Sequence, residues 1–376
     1  MISSEYFFTV YAIFVGILVL FKVADPAPIR PESKKSSMTK VWLVGILLIL
    51  YFGFRPIDNM ADTTVYAENY YRIQKGLLPP FYSMGSVHGI DLNSEIGFYF
   101  IRNILAVSGT GLYVWFTIVA IIYIMPIIFA VHKLFHGYEY LAMLFFVVGF
   151  CFYSGGMNGI RNADACSLFF LGFTFLINKQ TNRTLIGLLL LLLSYYFHHS
   201  IVILVSAVVF ALFFVKNTRI AVAIWTGMIV VSLIAGNKLA DFAISLNIDD
   251  RASNYLHKGA NLSFMNKAFS YTGFRWDFLL YSSIPIFIGW YVTVKKKIKD
   301  KTYQLLLNTY ILANAIWIVF MYAAYTNRYA ALSWSLYPFV MLYPFIKYKT
   351  LWKGKQKLFI SLFLIGQFIF DILFIQ

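Results

Sequence analysis

The feature that most constrains this chain is a succession of apolar runs too long and too numerous for a water-soluble core. They fall near 6–22, 41–54, 112–131, 139–154, 161–178, 184–197, 200–215, 220–236, 278–294, 303–322, 329–346 and 358–375. Short polar stretches end each one. In hydrocarbon the backbone finds no water to bond, so such runs must fold as helices. Charged residues make up 12% of the chain and apolar ones 60%. A soluble domain carries roughly twice that charged share. The expected fold is an all-α polytopic integral membrane protein with about 12 transmembrane helices, one for each apolar run. No repeat of fixed period, low-complexity tract or separable soluble part is visible, so 1–376 reads as a single transmembrane domain. Several runs are shorter than the ~20 residues a full crossing needs, those flanking His198 most of all.

Charge orients the runs. Glu5 and no basic residue precede the first, which argues against a cleaved signal peptide. Lys22, Arg30, Lys34, Lys35 and Lys40 follow it. The positive-inside rule then puts the N-terminus outside. Carried through the chain, this leaves 20 of the 31 Lys and Arg residues on the inner side and both termini outside. The stretch 95–107 is the ambiguous element, because Arg102 and Asn103 stand in mid-run. Counting it as a span would turn the runs KKKIKDK (295–301) and KYKTLWKGKQK (347–357) outward. It is therefore read as an amphipathic helix on the outer surface. Two long loops, 55–111 and 237–277, face outward, and the second is expected to act as a mobile lid over substrate.

The net charge of +15 would suggest nucleic acid in a soluble protein. Here the basic residues orient loops and meet anionic headgroups, and no nucleic-acid partner is expected. Cys151 and Cys166 lie in or beside apolar runs and have neither disulfide nor metal-ligand spacing. Asp249-Asp250 reads as a solvated loop, and no metal site is expected. No glycine-rich phosphate loop occurs, and no cofactor is expected.

Arg55, Asp62, Arg161, His198, Arg275 and Arg328 are far apart in sequence, yet each borders an apolar run on the same, outer side. A cationic pocket with a carboxylate and an imidazole at a membrane surface suits an anionic, lipid-linked substrate. Each residue also has a plainer reading. The arginines could snorkel to headgroups, Asp62 could cap a turn, and His198 could hold a tight turn through a carbonyl. Asp164, three residues after Arg161, reads as a helix ion-pair partner for it. His199 reads as a packing or lipid-surface residue.

The motifs also resemble a family. Arg55 through Asp62-Thr63 to Tyr66 is similar to the "R…DTxxY" loop of the EpsG-like branch of Wzy-type polysaccharide polymerases. Gly159-Ile160-Arg161-Asn162 with Ala165 resembles that family's "RQxxA" helix start, and Phe197-His198-His199-Ser200 its "FHxS" turn. Phe274-Arg275 and Asn327-Arg328-Tyr329 resemble its later arginine positions. The chain departs from the pattern with Met60 in place of glycine, Asn162 in place of glutamine, and Asp164 at an apolar position.

This resemblance implies a membrane glycosyltransferase with a fold resembling the GT-C type. It would join oligosaccharide repeat units of O-antigen, capsule or exopolysaccharide, carried on undecaprenyl diphosphate, at the outer face of the cytoplasmic (inner) membrane. Donor and acceptor would both be lipid-linked oligosaccharides. Membrane lipids, a chain-length regulator and a flippase would be further partners. By this reading Asp62, His198 and Arg161 are catalytic, with Asp62 favoured slightly over His198 as the base. Arg55, Tyr66, Arg161, Arg275, Asp277, Arg328 and Tyr329 bind substrate. Two alternatives stay open. An O-antigen ligase-like enzyme would use the same donor with another acceptor. A lipid-linked oligosaccharide flippase would show repeats and midplane polar residues.

Overall fold

The computed structural model describes residues 3–58, 60–79, 95–177, 181–245, 273–322 and 326–375. Among them there are α-helices, short 3₁₀ and π turns, and no strand. The helices are α1 (Ser4–Ala24), α2 (Lys34–Gly53), α3 (Ala61–Gln74), α4 (Ile96–Val107), α5 (Leu112–Leu134), α6 (Glu139–Val147), α7 (Phe152–Met157) and α8 (Ile160–Ile177). They continue with α9 (Thr181–Phe197), α10 (Val202–Phe213), α11 (Thr218–Ser245), α12 (Trp276–Trp290), α13 (Lys301–Val319), α14 (Thr326–Trp334), α15 (Tyr337–Lys347) and α16 (Gln356–Ile375).

The protein is an all-α polytopic membrane protein. Each of the twelve apolar runs coincides with helix. Eight helical stretches of the described residues are long and apolar enough to cross a bilayer, α14 with α15 counting as one. The run 139–154 is broken into α6 and α7, and Arg183–Phe197 and His199–Phe213 are apolar but short. Helices such as α1 bury one stripe (Phe7, Tyr11, Val15, Val19) and expose another (Ile13, Ile17, Leu20). In water that second stripe would be a liability; against acyl chains it is the expected surface.

The chain forms two compact units, one of residues 1–198 with 345–376 and the other of 199–344. In the first, α5 packs against both α2 and α8, and α8 packs closely against α9. Gly172 and Gly187 permit that approach: a Cβ on either would come within 2.9 Å of the other's carbonyl oxygen. Small residues at such crossings let backbones touch, which is the main source of attraction between helices in lipid. Because α8 and α9 form an antiparallel hairpin, the start of α8 and the end of α9 lie at the same end of the unit.

The expected amphipathic helix is α4. Its 12 residues span roughly 18 Å, too short to cross. It buries Phe98, Tyr99, Arg102, Asn103 and Ala106 and exposes Phe100, Ile104 and Val107. Arg102 and Asn103 are tolerated inside because Arg102 Nε and Nη2 donate to Asn103 Oδ1 at 3.1 and 3.0 Å. The described residues of 55–111, a stretch expected to face outward, thus contain two helices, α3 and α4. The second loop begins later than expected, since α11 runs on to Ser245 after a kink at Ala235. Most of the expected lid, 246–272, and with it Asp249-Asp250, lies outside the described residues.

In the second unit, α13 packs against α10 and α11. Buried amides stitch these helices: Trp225 Nε1 donates to Asn314 Oδ1 at 2.8 Å, and Asn308 Nδ2 donates to the Val215 carbonyl at 2.9 Å.

Candidate functional site

The strongest constellation in the first unit is built on Glu95, the residue immediately before α4. Glu95 is 4% exposed and accepts from Arg161 Nη1 through one carboxylate oxygen. Its other oxygen hydrogen-bonds His198 Nδ1. Tyr66 and Tyr99 complete the ring around Arg161: Nε donates to the Tyr66 hydroxyl at 3.0 Å, and Nη1 donates to the Tyr99 hydroxyl at 3.1 Å. The Arg102 guanidinium also lies over the Tyr99 ring, 4.7 Å from its centre.

Local structure explains the placement. Arg161 is the second residue of α8. A cation there faces the positive end of the helix dipole, so a nearby carboxylate offsets a local cost. Glu95 stands at the N-cap of α4 yet makes no side-chain cap; its carboxylate is turned to Arg161 and His198 instead. Gly97 lets α4 begin against the end of α9, since a Cβ there would meet the Tyr196 carbonyl oxygen and the Phe197 ring, each at 3.1 Å. His198 follows α9 directly, its backbone N–H donating to the Ser194 carbonyl at 3.1 Å before a 3₁₀ turn begins. Among the described residues, His198 Nε2 and Arg161 Nη2 make no hydrogen bond. Among the described residues the site therefore presents an imidazole held at Nδ1 beside the Arg161 guanidinium.

The loop motif sits directly behind this ring. Thr63 Oγ1 donates to the Met157 carbonyl, and the Asp62 backbone N–H donates to Asn158 Oδ1 at 3.0 Å. Asp62 is half-buried in the first turn of α3, one turn before Tyr66 on the same helix face. Tyr66, expected to contact substrate, is 2% exposed, and its ring packs on Phe98 and Trp115. Arg55, also expected to bind substrate, is fully buried. Its Nε donates to the Phe52 carbonyl at 2.7 Å and its Nη1 to the Met157 carbonyl at 3.2 Å. Its guanidinium also lies over the Phe116 ring at 4.6 Å. Both side chains brace the site from beneath.

One expectation is overturned outright. Asp164 does not pair with Arg161, although three residues separate them on α8. Arg161 is claimed by Glu95, and the fully buried Asp164 makes no side-chain hydrogen bond among the described residues. The helix rotates Arg161 toward α4 and Asp164 toward the bundle interior.

The remaining candidates belong to the second unit. Arg275, at the N-cap of α12, forms a two-pronged pair with Asp277, Nε to Oδ1 at 2.9 Å and Nη2 to Oδ2 at 2.6 Å. Its guanidinium also lies 3.6 Å from the Phe278 ring centre. That pairing makes Asp277 the immediate counter-charge of Arg275. Arg328 is half-buried in the first turn of α14, and the neighbouring Tyr329 is turned inward to stack on Phe320 at 4.6 Å.

Glu95 is the member of this constellation that was not among the expected site residues. It was visible only as an acidic residue opening an amphipathic run.

No curated protein and no solved structure matches the chain. The family model described as "EpsG family" matches residues 40–375, nearly the whole length. With a helical bundle and the motif residues Tyr66, Arg161 and His198 gathered in one unit, the chain belongs to the EpsG family, a Wzy-type polymerase-like family.

Proposed function

We propose that this protein is a membrane glycosyltransferase that polymerises polysaccharide repeat units carried on a polyprenyl diphosphate, undecaprenyl diphosphate being the expected carrier. The reaction would take place at the outer face of the cytoplasmic membrane. Family membership supports polysaccharide polymerisation in general terms. The observation that carries the mechanism is the Arg161–Glu95–His198 relay.

Glu95 accepts from His198 Nδ1 and so holds the imidazole in the tautomer whose Nε2 is a base, as the buried carboxylate does in a Ser-His-Asp triad. The acceptor sugar hydroxyl attacks the anomeric carbon of the donor glycan. The bond from that carbon to the diphosphate oxygen breaks, and the hydroxyl proton passes to His198 Nε2. Arg161 Nη2 donates to the departing diphosphate, where a fixed guanidinium stabilises charge as it develops. In this scheme Asp62 orients the acceptor rather than deprotonating it. Tyr66 and Arg55 are positioning residues. Arg275, Asp277, Arg328 and Tyr329 enter only through their motif positions, as further contacts to the lipid-linked substrate.

The test is reconstitution of purified protein in liposomes with its native lipid-linked repeat unit. A ladder of glycans spaced by one repeat is the expected product. Transfer of a single glycan to a different acceptor, with no ladder, would replace the polymerase reading with a ligase. Movement of the intact lipid between leaflets without any new glycosidic bond would replace it with a transporter.

A further inference from the structure

At the far end of α5 a second cluster has no part in this chemistry. His132 lies in the last turn of α5, His136 just beyond it, and Glu139 opens α6. Their potential ligand atoms all fall within 4.8 Å of one another. Glu139 Oε1 lies 3.0 Å from His132 Nδ1 and 3.6 Å from His136 Nδ1. The tight corner is made by Gly137, at φ +82.

The Glu139 carboxylate is 0% exposed, and its Oε2 has no hydrogen-bond partner among the described residues. A buried carboxylate with one bare oxygen is costly. Two imidazoles converging on its other oxygen do not relieve that cost. A cation seated among the three groups would. Ligands around a four-coordinate zinc-class ion, at roughly 2.0–2.2 Å from the metal, lie about 3.3–3.5 Å from each other. The observed 3.0 and 3.6 Å separations bracket that edge. The side chain of His136 is 67% exposed, which leaves a route from solvent and a place for a fourth, water ligand. The nearby ammonium of Lys133 is drawn aside, 3.9 Å from the centre of the Phe175 ring.

We propose that His132, His136 and Glu139 form a binding site for a divalent transition-metal ion of the zinc class. It clamps the α5–α6 corner. The site lies at the opposite end of α5 from Trp115, which packs on Tyr66. Trp115 and His132 are 17 residues apart on α5, roughly 26 Å along the helix, so the ion takes no direct part in glycan transfer. The pattern His-x₃-His-x₂-Glu is present in the sequence, although no metal site was expected from it.

The test uses the full chain in detergent, with any affinity tag removed and the protein stripped by chelator. Zinc is titrated in competition with a chromogenic chelator, and cobalt is added separately as a spectroscopic probe. The expected result is one zinc per chain, visible cobalt bands of four-coordinate intensity, and at least ~10-fold weaker binding in His136→Ala. His136 is exposed, so this variant should fold; Glu139→Gln should also weaken binding. Absence of stoichiometric zinc at micromolar free metal would overturn the proposal. So would equal affinity in wild type and His136→Ala.

Discussion

Replacing Glu95 separates its chemical role from its structural one. Glu95→Gln keeps the side-chain length and one oxygen that can accept from Arg161, but it removes the charge that supports the His198 imidazolium. If His198 is the base and Glu95 sustains it, the lost contribution is that of general-base catalysis, about 10²–10⁴ in rate. That corresponds to about 3–5 kcal/mol in the barrier. Stability should also fall, because Arg161 is left without its counter-charge. Breaking a buried ion pair typically costs about 3–5 kcal/mol, and the retained amide oxygen should keep the loss at or below the lower end.

Glu95→Asp is the companion test. It keeps the charge and withdraws the carboxylate by about 1.5 Å, one carbon–carbon bond. The shortened group cannot reach both Arg161 and His198, and a misplacement of about 1 Å can cost ~10² in rate. The assay is the initial rate of ladder formation in liposomes, with thermal unfolding in detergent and insertion level measured on the same preparations. Both variants should be folded and slow, with kcat reduced far more than KM changes. If folded Glu95→Gln and Glu95→Asp both polymerise within about threefold of wild type, the relay is not catalytic and Glu95 serves only to hold α4 against α8.

Arg161→Lys should lose about 10²–10³ in rate, the usual loss for one donor to a developing anion. Lysine cannot serve Glu95, Tyr66, Tyr99 and substrate from one planar fork, and wild-type polymerisation would make Arg161 a headgroup anchor. Tyr66→Phe removes one hydrogen bond to a charged group, worth about 1.5–3 kcal/mol, and should slow the reaction about 10–100-fold without altering insertion. An unchanged rate would mean that Arg161 is positioned by Glu95 alone. Gly172→Leu should overpack the α8–α9 crossing and destabilise the protein by about 1–3 kcal/mol or more, read as a lower unfolding midpoint. In a Cys151→Ser background, Lys75→Cys and Asn327→Cys should react with an impermeant thiol reagent on intact spheroplasts, while Lys299→Cys and Lys355→Cys should not. The reverse pattern would put the relay on the cytoplasmic face and end the proposed outer-face reaction.

The helical class of this protein was legible because apolar runs in lipid have one stable backbone solution. Every run became helix, and the stretch carrying polar residues at 102 and 103 became the short helix α4. Arg161, His198 and Tyr66 could be named in advance because charged, imidazole and phenol groups are conspicuous at the ends of such runs. Their partners could not. Glu95 lies 66 residues from Arg161 and 103 from His198, and no local pattern couples those positions. Their meeting depends on the close α8–α9 hairpin at Gly172 and Gly187, and on the missing side chain at Gly97. Asp164 shows the same limit from the other side. Spacing on one helix made it a partner for Arg161, but packing between helices gave Arg161 to Glu95 and buried Asp164 away from it. Periodicity and composition act within a segment and determined which segments are helical. Which charges meet was decided by helix approach and rotation, which depend on side chains that are distant in the chain.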